Sequence, residues 1–289
     1  MAGSKKTAYR RKMVDRLKRS SAYRLAYQDQ EFLEEDVNRP VRLQLELKKP
    51  EVILQENKIN STIVVFGGTR IVEPTQARAN VKKIEARLKR NPTDTDLRRQ
   101  LKRAKSIQAK SRYYDEAREF ARLVSLEGQK DGPYQEWVVV TGGGPGIMEA
   151  SNRGAHDVGA KSIGLNITLP MEQEPNPYIT PELCLRFHYF ALRKMHFLMR
   201  AKALVAFPGG YGTMDELFEA LTLVQTGVVE PLPIVLLGEK YWRSVVDFKQ
   251  LVAEGTIDEE DINLFVYADK AIDAWNYINY FYKAKNNSK

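Results

Sequence analysis

The chain has 289 residues, 43% hydrophobic and 28% charged, the balance of a folded protein long enough for one large domain or two small ones. No apolar run approaches the ~20 residues of a membrane-spanning helix, and the single cysteine, Cys184, excludes an intrachain disulfide and a cysteine-based zinc site. The net charge of +8 is local: residues 1–25 carry nine Lys or Arg against one acid and residues 78–112 carry thirteen against three, so the remainder is acidic and a polyanion-binding core is not indicated.

The first residues, MAGSKKTAYRRKMVDRLKRSS, lack the apolar stretch of a secretory signal. A cytoplasmic protein is expected, with an organelle transit peptide as the alternative. Residues 1–60 read as a mostly helical extension, the run Val41–Lys49 fitting either helix or strand. A Rossmann-like nucleotide-binding domain is expected over 61–289. Its first strand is Thr62–Phe66 (TIVVF), followed by a basic insertion over 75–110. Apolar residues at Val81, Ile84 and Leu88, then at Leu97, Leu101, Ala104 and Ile107, flank Asn91-Pro92-Thr93-Asp94 with helical spacing. They predict a helical hairpin. Its many cations are read first as a solvated face, with a nucleic-acid surface as the alternative.

Helix is expected over Tyr113–Leu126, strand over Trp137–Thr141, helix over Ile147–Val158 and strand over Ser162–Ile167. A helix over Leu185–Lys202 follows, with Phe187, Phe190, Ala191, Met195 and Leu198 as its core stripe. Strand Ala203–Phe207, helix Met214–Gly227, strand Pro233–Leu237, helix Tyr241–Glu254 and a short strand Leu264–Tyr267 complete the pattern. Nearly continuous apolar strands alternating with helices predict an α/β fold, a doubly wound parallel sheet covered on both faces.

In such a sheet, ligands bind beyond the carboxyl ends of the strands. Glycines gather there three times: Gly67-Gly68-Thr69-Arg70, Gly142-Gly143-Gly144-Pro145-Gly146-Ile147, and Pro208-Gly209-Gly210-Tyr211-Gly212-Thr213-Met214-Asp215-Glu216. Glycine allows a tight turn and close approach of backbone N–H groups to phosphate, so an anionic, nucleotide-like ligand is indicated. A Walker-type loop, a complete G-x-G-x-x-G and a G-x-S-x-G elbow are all missing. Thr213 and Glu216 also spell a capping box, which needs no function. Arg193 and Lys194 could equally sit on a solvated helix face, while Met148 and Met195 read as core. His156, His188 and His196 have no partner at ligand spacing, so no metal is expected.

GGGPGIMEA (142–150), the Arg193-Lys194 pair and PGGYGTMDE (208–216), with SRYYDEA (111–117) before them, resemble the motifs of the Lonely Guy family of phosphoribohydrolases. The resemblance implies a Rossmann-like homodimer or higher homo-oligomer. Without metal or redox cofactor, it would hydrolyse a nucleoside 5′-monophosphate to free base and ribose 5-phosphate. By position, Arg193 and Glu216 would be the catalytic pair. Gly210, Gly212 and Thr213 would cradle the phosphate, Gly143, Gly144 and Gly146 would line the same pocket, and Lys194 would assist binding. Glu216 would stabilise positive charge on the ribose and direct water. Gly67-Gly68-Thr69 stands where the family commonly has Gly-Ser, and Glu149 stands where it has a small residue. With the extra segments 1–60 and 75–110, these departures suggest a bacterial-type nucleotide nucleosidase rather than the short plant type. The rival readings are a molybdenum-cofactor or nucleotide carrier, which shares this fold, and an RNA-associated protein using the basic segments.

Overall fold

Alternating apolar strands and amphipathic helices generate a seven-stranded, all-parallel sheet in the computed structural model, which describes residues 2–130, 132–170 and 174–287. In chain order, β1 (Thr62–Phe66), β2 (Val138–Thr141), β3 (Ser162–Ile167), β4 (Cys184–Phe187), β5 (Ala201–Ala206), β6 (Ile234–Leu237) and β7 (Val266–Ala268) lie in the spatial order β4-β3-β2-β1-β5-β6-β7. The chain therefore builds outward from β1 to one edge, then returns to β1 and builds to the other. Register is set by pairs such as Ile63 with Val139 and Val64 with Leu204.

Side chains alternate across each strand and feed two apolar layers. Val64, Val140, Leu204 and Leu236 face one layer, while Ile63, Val139, Val205 and Val235 face the other. The first layer receives Phe197 from α8 (Phe190–Met199), Leu217 from α9 (Tyr211–Gln225), Trp242 from α10 (Glu239–Val245) and Phe248 from α11 (Phe248–Ala253). The second receives Phe120 from α6 (Arg112–Gly128), Ile147 from α7 (Ile147–His156) and Ile278 from α12 (Ala271–Asn287). Trp242 is fully buried, and its indole N–H donates to the carbonyls of Ala206 and Leu237 at 3.0 and 3.2 Å. One side chain thus satisfies backbone acceptors at the ends of β5 and β6, beside the edge where the glycine loops leave.

The chain separates into compact units over residues 1–49 and 50–289. The first contains α1 (Ala2–Lys18), α2 (Gln30–Glu34) and most of α3 (Arg39–Glu56). Val41–Lys49 is therefore helix. Asp29 caps α2 through Phe32 N–H and also accepts from Arg24 at 3.0 Å. In the second unit, α4 (Pro74–Arg90) and α5 (Thr95–Lys110) form the hairpin between β1 and α6. The Asp94 carboxylate caps α5 by accepting from Leu97 N–H at 2.9 Å. Among the described residues, no helix is long and apolar enough to cross a membrane.

Three local expectations change. Residues 184–187 form an edge strand rather than the start of a helix. Leu185 and Phe187 are buried while Cys184 and Arg186 are exposed, the period-two alternation of a strand. The true helix α8 consequently buries His196 and Phe197, and Phe190 and Met195 of the expected core stripe are exposed. Residues 241–254 are two helices, because Asp247 caps a new one by accepting from Gln250 N–H at 3.1 Å. Trp137 lies at φ 53°, so β2 begins one residue later than expected. Its amide donates to Ser61 Oγ, and its ring packs edge-on against Trp275.

The helix pair α6/α7 is close-packed at Gly154, where an added Cβ would stand 2.0 Å from the Arg118 carbonyl oxygen. Gly154→Ala is expected to force the helices apart and cost about 1–3 kcal/mol. A urea denaturation midpoint unchanged from wild type would contradict that packing role.

Candidate functional site

The three glycine loops meet at Gly68. Its N–H donates to the Pro208 carbonyl at 2.9 Å, and its own carbonyl accepts from Ile147 N–H at 3.3 Å. The segment after β1 is thereby tied to the loop after β5 and to the start of α7. This is the point where strand order reverses, the position at which open α/β sheets bind ligands. Side chains are excluded at the junction: a Cβ on Gly67 would lie 2.5 Å from Ile147, and one on Gly146 would lie 2.4 Å from the Gly68 carbonyl.

Buried amides hold the loop after β2. Thr141 Oγ donates to Asn152 Oδ1 at 2.8 Å and accepts from Gly143 N–H at 3.0 Å. Asn176 Nδ2 donates to the Gly143 and Gly144 carbonyls, both at 3.1 Å, and to Asn152 Oδ1 at 2.9 Å. Asn152 in turn donates to Ser162 Oγ at 3.0 Å. Asn152 is wholly buried, so each bond replaces a hydration that folding removed. Gly143 adopts φ +73°, a conformation that glycine accepts without the usual side-chain penalty.

After β5, helix α9 starts at Tyr211 with Gly210 as its N-cap, and no side chain caps it. Thr213 is thus inside the first turn, and the capping-box reading of Thr213 and Glu216 does not describe this helix. The glycines divide the work. A Cβ on Gly209 would strike Thr213 at 2.2 Å, whereas Cβ atoms on Gly210 and Gly212 would meet nothing within 4 Å. Gly209 therefore lets Thr213 tuck in, buried at 6% exposure, while Gly210 and Gly212 leave the helix entrance open. The first-turn N–H groups of a helix lack intrahelical acceptors and carry partial positive charge, so this entrance suits an anion. The Tyr241 hydroxyl steadies it by donating to the Gly209 carbonyl.

These elements enclose a cleft of about 280 Å³, lined by Gly67, Gly68 and Thr69 after β1, Gly142 and Met148 around α7, and Asn166, Ile167 and Leu169 at and just beyond the end of β3. Phe190 and Arg193 of α8 and Gly210, Gly212, Thr213 and Glu216 of α9 complete it. At its base, Arg193 Nη2 donates to Glu216 Oε1 at 2.6 Å, and both side chains are only 11% exposed. The guanidinium lies 5.4 Å from the Phe190 ring centre and 5.5 Å from that of Phe197. Its Nε is buried with no hydrogen-bond partner among the described residues. Burial pushes the Glu216 carboxyl up to about 7, against the opposing pull of Arg193. Burial likewise lowers the Arg193 guanidinium, which stays charged because its ordinary value is so high.

Arg193, Glu216, Gly210, Gly212 and Thr213, which the sequence pointed to, all reach this cleft. Gly143, Gly144 and Gly146 do not line it; their neighbour Gly142 does, and the three shape the wall behind it. Lys194 faces away, paired with Asp215 at 3.2 Å and Glu219 at 3.1 Å. Glu149 also turns away and accepts from the Tyr114 hydroxyl at 2.9 Å. Met148 lines the cleft, contrary to its reading as core. Sequence reasoning missed Asn166, Leu169 and Phe190. Asn166 is the penultimate residue of β3 and carries no motif, although a polar residue within the apolar SIGLNI run was a readable signal.

The fold and cleft define an α/β protein with an anion-ready helix entrance beside a buried carboxyl–guanidinium pair. Residues 148–278 match the family model described as "Possible lysine decarboxylase". A "Probable cytokinin riboside 5′-monophosphate phosphoribohydrolase" of Oryza sativa subsp. japonica is 33% identical over 138 residues, covering 46% of this chain and 58% of that protein. Two Arabidopsis thaliana proteins named cytokinin riboside 5′-monophosphate phosphoribohydrolase are also similar. One is 30% identical over 138 residues (46% of this chain, 62% of that one), the other 29% over 167 residues (56% and 73%). These matches bear out the resemblance to the Lonely Guy family, and the first of them span about three-fifths of the relatives' length. A molybdenum cofactor carrier protein from Chlamydomonas reinhardtii is 17% identical over 76% of this chain and 96% of that one, with a TM-score of 0.44.

Asn152→Ala would strip partners from Thr141, Ser162 and Asn176 at once. A loss of about 1–3 kcal/mol is expected for each buried polar group left unpartnered. It should appear as a lower urea midpoint and faster hydrogen exchange at the Gly143 amide. Unchanged exchange would show that the network does not hold the loop.

Proposed function

We propose that this cleft hydrolyses the N-glycosidic bond of a nucleoside 5′-monophosphate, releasing free base and ribose 5-phosphate. The observation that carries the reading is the buried Glu216–Arg193 pair set within two helical turns of an uncapped helix entrance. A site built only to hold phosphate gains nothing from a carboxylate there, because like charges repel in a poorly hydrated cleft. A site that must stabilise positive charge on a ribose does gain from it.

In this reading the 5′-phosphate sits on the first turn of α9, over Gly210, Gly212 and Thr213. The base lies along the apolar wall of Met148, Ile167, Leu169 and Phe190, with Asn166 at its edge. As the C1′–N bond breaks, its electron pair leaves with the base, which takes up a proton. Ionised Glu216 faces the cationic ribose, accepts a proton from the water whose oxygen bonds to C1′, and then releases it to solvent, which supplies the proton taken up by the base. Arg193 is a positioning and charge-balancing group: it holds one carboxylate oxygen and leaves the other for water. Phosphate binding away from the reacting carbon helps to orient C1′. The names of the relatives support a nucleotide as substrate, and such a substrate suits the expected cytoplasmic location. Exposed Phe190, Met195 and Met199 along α8 support self-association of the expected homodimer.

Chromatography of free base released from AMP, GMP, CMP, UMP and a cytokinin nucleotide, each beside its dephosphorylated nucleoside, tests the reading. Glu216→Gln keeps the shape and an acceptor for Arg193 but cannot take a proton. It should lose at least about 10²-fold in kcat, the range of general acid–base contributions, while still binding nucleotide. Turnover near wild type would sink the assignment, and nucleotide binding without turnover in the wild-type protein would favour a carrier.

The pH profile carries its own sign. Because the ionised carboxylate does the work, kcat/KM should rise as pH passes upward through about 7. A profile that falls through the same range would instead assign Glu216 as a proton donor.

A further inference from the structure

A second recess, of about 320 Å³, lies between α4 and α5 and the segment after β1, outside the cleft described above. Arg70, Lys83, Arg87 and Arg103 line it together with the neutral amides Asn80 and Gln100, and no acidic residue does. Its apolar surface comes from Val72, Ala77, Ile84, Ala104 and Ile107. Lys83 and Arg87 are four residues apart on α4, where like charges share a face and repel. None of the four cations makes an ion pair among the described residues.

The acids of the hairpin do not neutralise this recess. The segment 78–112 contains three acids, and each is engaged elsewhere. Glu85 pairs with Lys105 at 3.0 Å, Asp94 caps α5, and Asp96 pairs with Arg99. Glu73, just before α4, pairs with Arg153 at 3.5 Å. Four uncompensated cations around an apolar-floored hollow present the complement of a molecule with several negative charges on an organic body. A nucleic acid would be served by a track of charge along the surface, whereas these cations converge on a hollow of small-ligand size.

We propose that this recess is a binding site for a small polyphosphorylated organic molecule, held by Arg70, Lys83, Arg87 and Arg103. Its position gives it reach. Gly67, Gly68 and Thr69 line the cleft while Arg70 and Val72, the next residues but one apart, line the recess. Gly68 also bonds the loops after β2 and β5, so a ligand that fixes Arg70 restrains one wall of the cleft. The proposal does not depend on what reaction the cleft performs.

The test is calorimetric titration of the full chain with ATP, inorganic tripolyphosphate and an oligoribonucleotide near physiological salt, repeated on two double variants of equal charge change. Arg87→Glu with Arg103→Glu alters the recess, and Lys89→Glu with Arg98→Glu alters a different face of the hairpin. Saturable ATP binding should weaken by about tenfold or more in the first pair, the loss expected from removing charge-assisted contacts, and stay near wild type in the second. Arg87→Gln with Arg103→Gln should give a smaller loss if the reversed charges disturb folding, which thermal melts will report. Hydrogen exchange across residues 67–72 should slow on adding ATP in wild type but not in the first pair. Equal weakening in both charge-reversed pairs, no ATP binding, or RNA that ATP cannot displace would overturn the site. Tripolyphosphate binding as tightly as ATP would overturn the organic body.

Discussion

A carboxyl group taken out of water must either give up its charge or find a cation, and Glu216 does some of both. Its neighbour Arg193 lies 2.6 Å away on the preceding helix, yet burial still lifts the carboxyl to about 7. Removing either member would strand the other in a poorly solvated place, at a cost of about 3–5 kcal/mol. Much of the architecture around the pair serves to bring α8 and α9 together at one sheet edge. Strand β5 lies directly between these helices in sequence, and Trp242 secures its end to that of β6.

The glycines around the cleft serve contrasting purposes, and only their surroundings separate them. Gly67, Gly146 and Gly209 are places where another part of the protein already fills the space a Cβ would need. Gly210 and Gly212 are places where that space is open. The first group brings three loops into contact through the backbone of Gly68, and the second leaves the α9 entrance clear for a ligand. The buried amides Asn152 and Asn176 extend the same economy to the loop after β2, satisfying several backbone and side-chain groups with two residues. A rigid wall opposite an open helix entrance is what oriented binding requires.

The basic hairpin belongs to the same compact unit but follows a different electrostatic logic. Where Glu85 and Asp96 reach them, at Lys105 and Arg99, its cations are paired. Around the recess beside Arg70 they are not. Uneven compensation of this kind focuses positive potential at one place on a surface whose average charge conveys little. The chain connection from Gly67 to Val72 links that place to the cleft within six residues.

Much of this was legible without coordinates. Apolar runs such as TIVVF and PIVLL, punctuated by glycine or polar turns, determined a parallel sheet covered on both sides, since only such strands are uniformly apolar. The motif around PGGYGTMDE located an anion-ready helix start, because three glycines within four residues exceed the needs of an ordinary cap. Edge strand β4 was read as helix, since a four-residue alternating run beside α8 is too short to set its own period. That error also turned the apparent core stripe of α8 toward solvent. What only the tertiary structure decided is which residues share a surface. Arg193 meets Glu216 while Lys194, next along the chain, turns to Asp215 and Glu219. Gly142 lines the cleft while Gly143 and Gly144 stand behind it. Helix phase and loop curvature make those choices through long-range packing, for which local spacing in the chain carries no term.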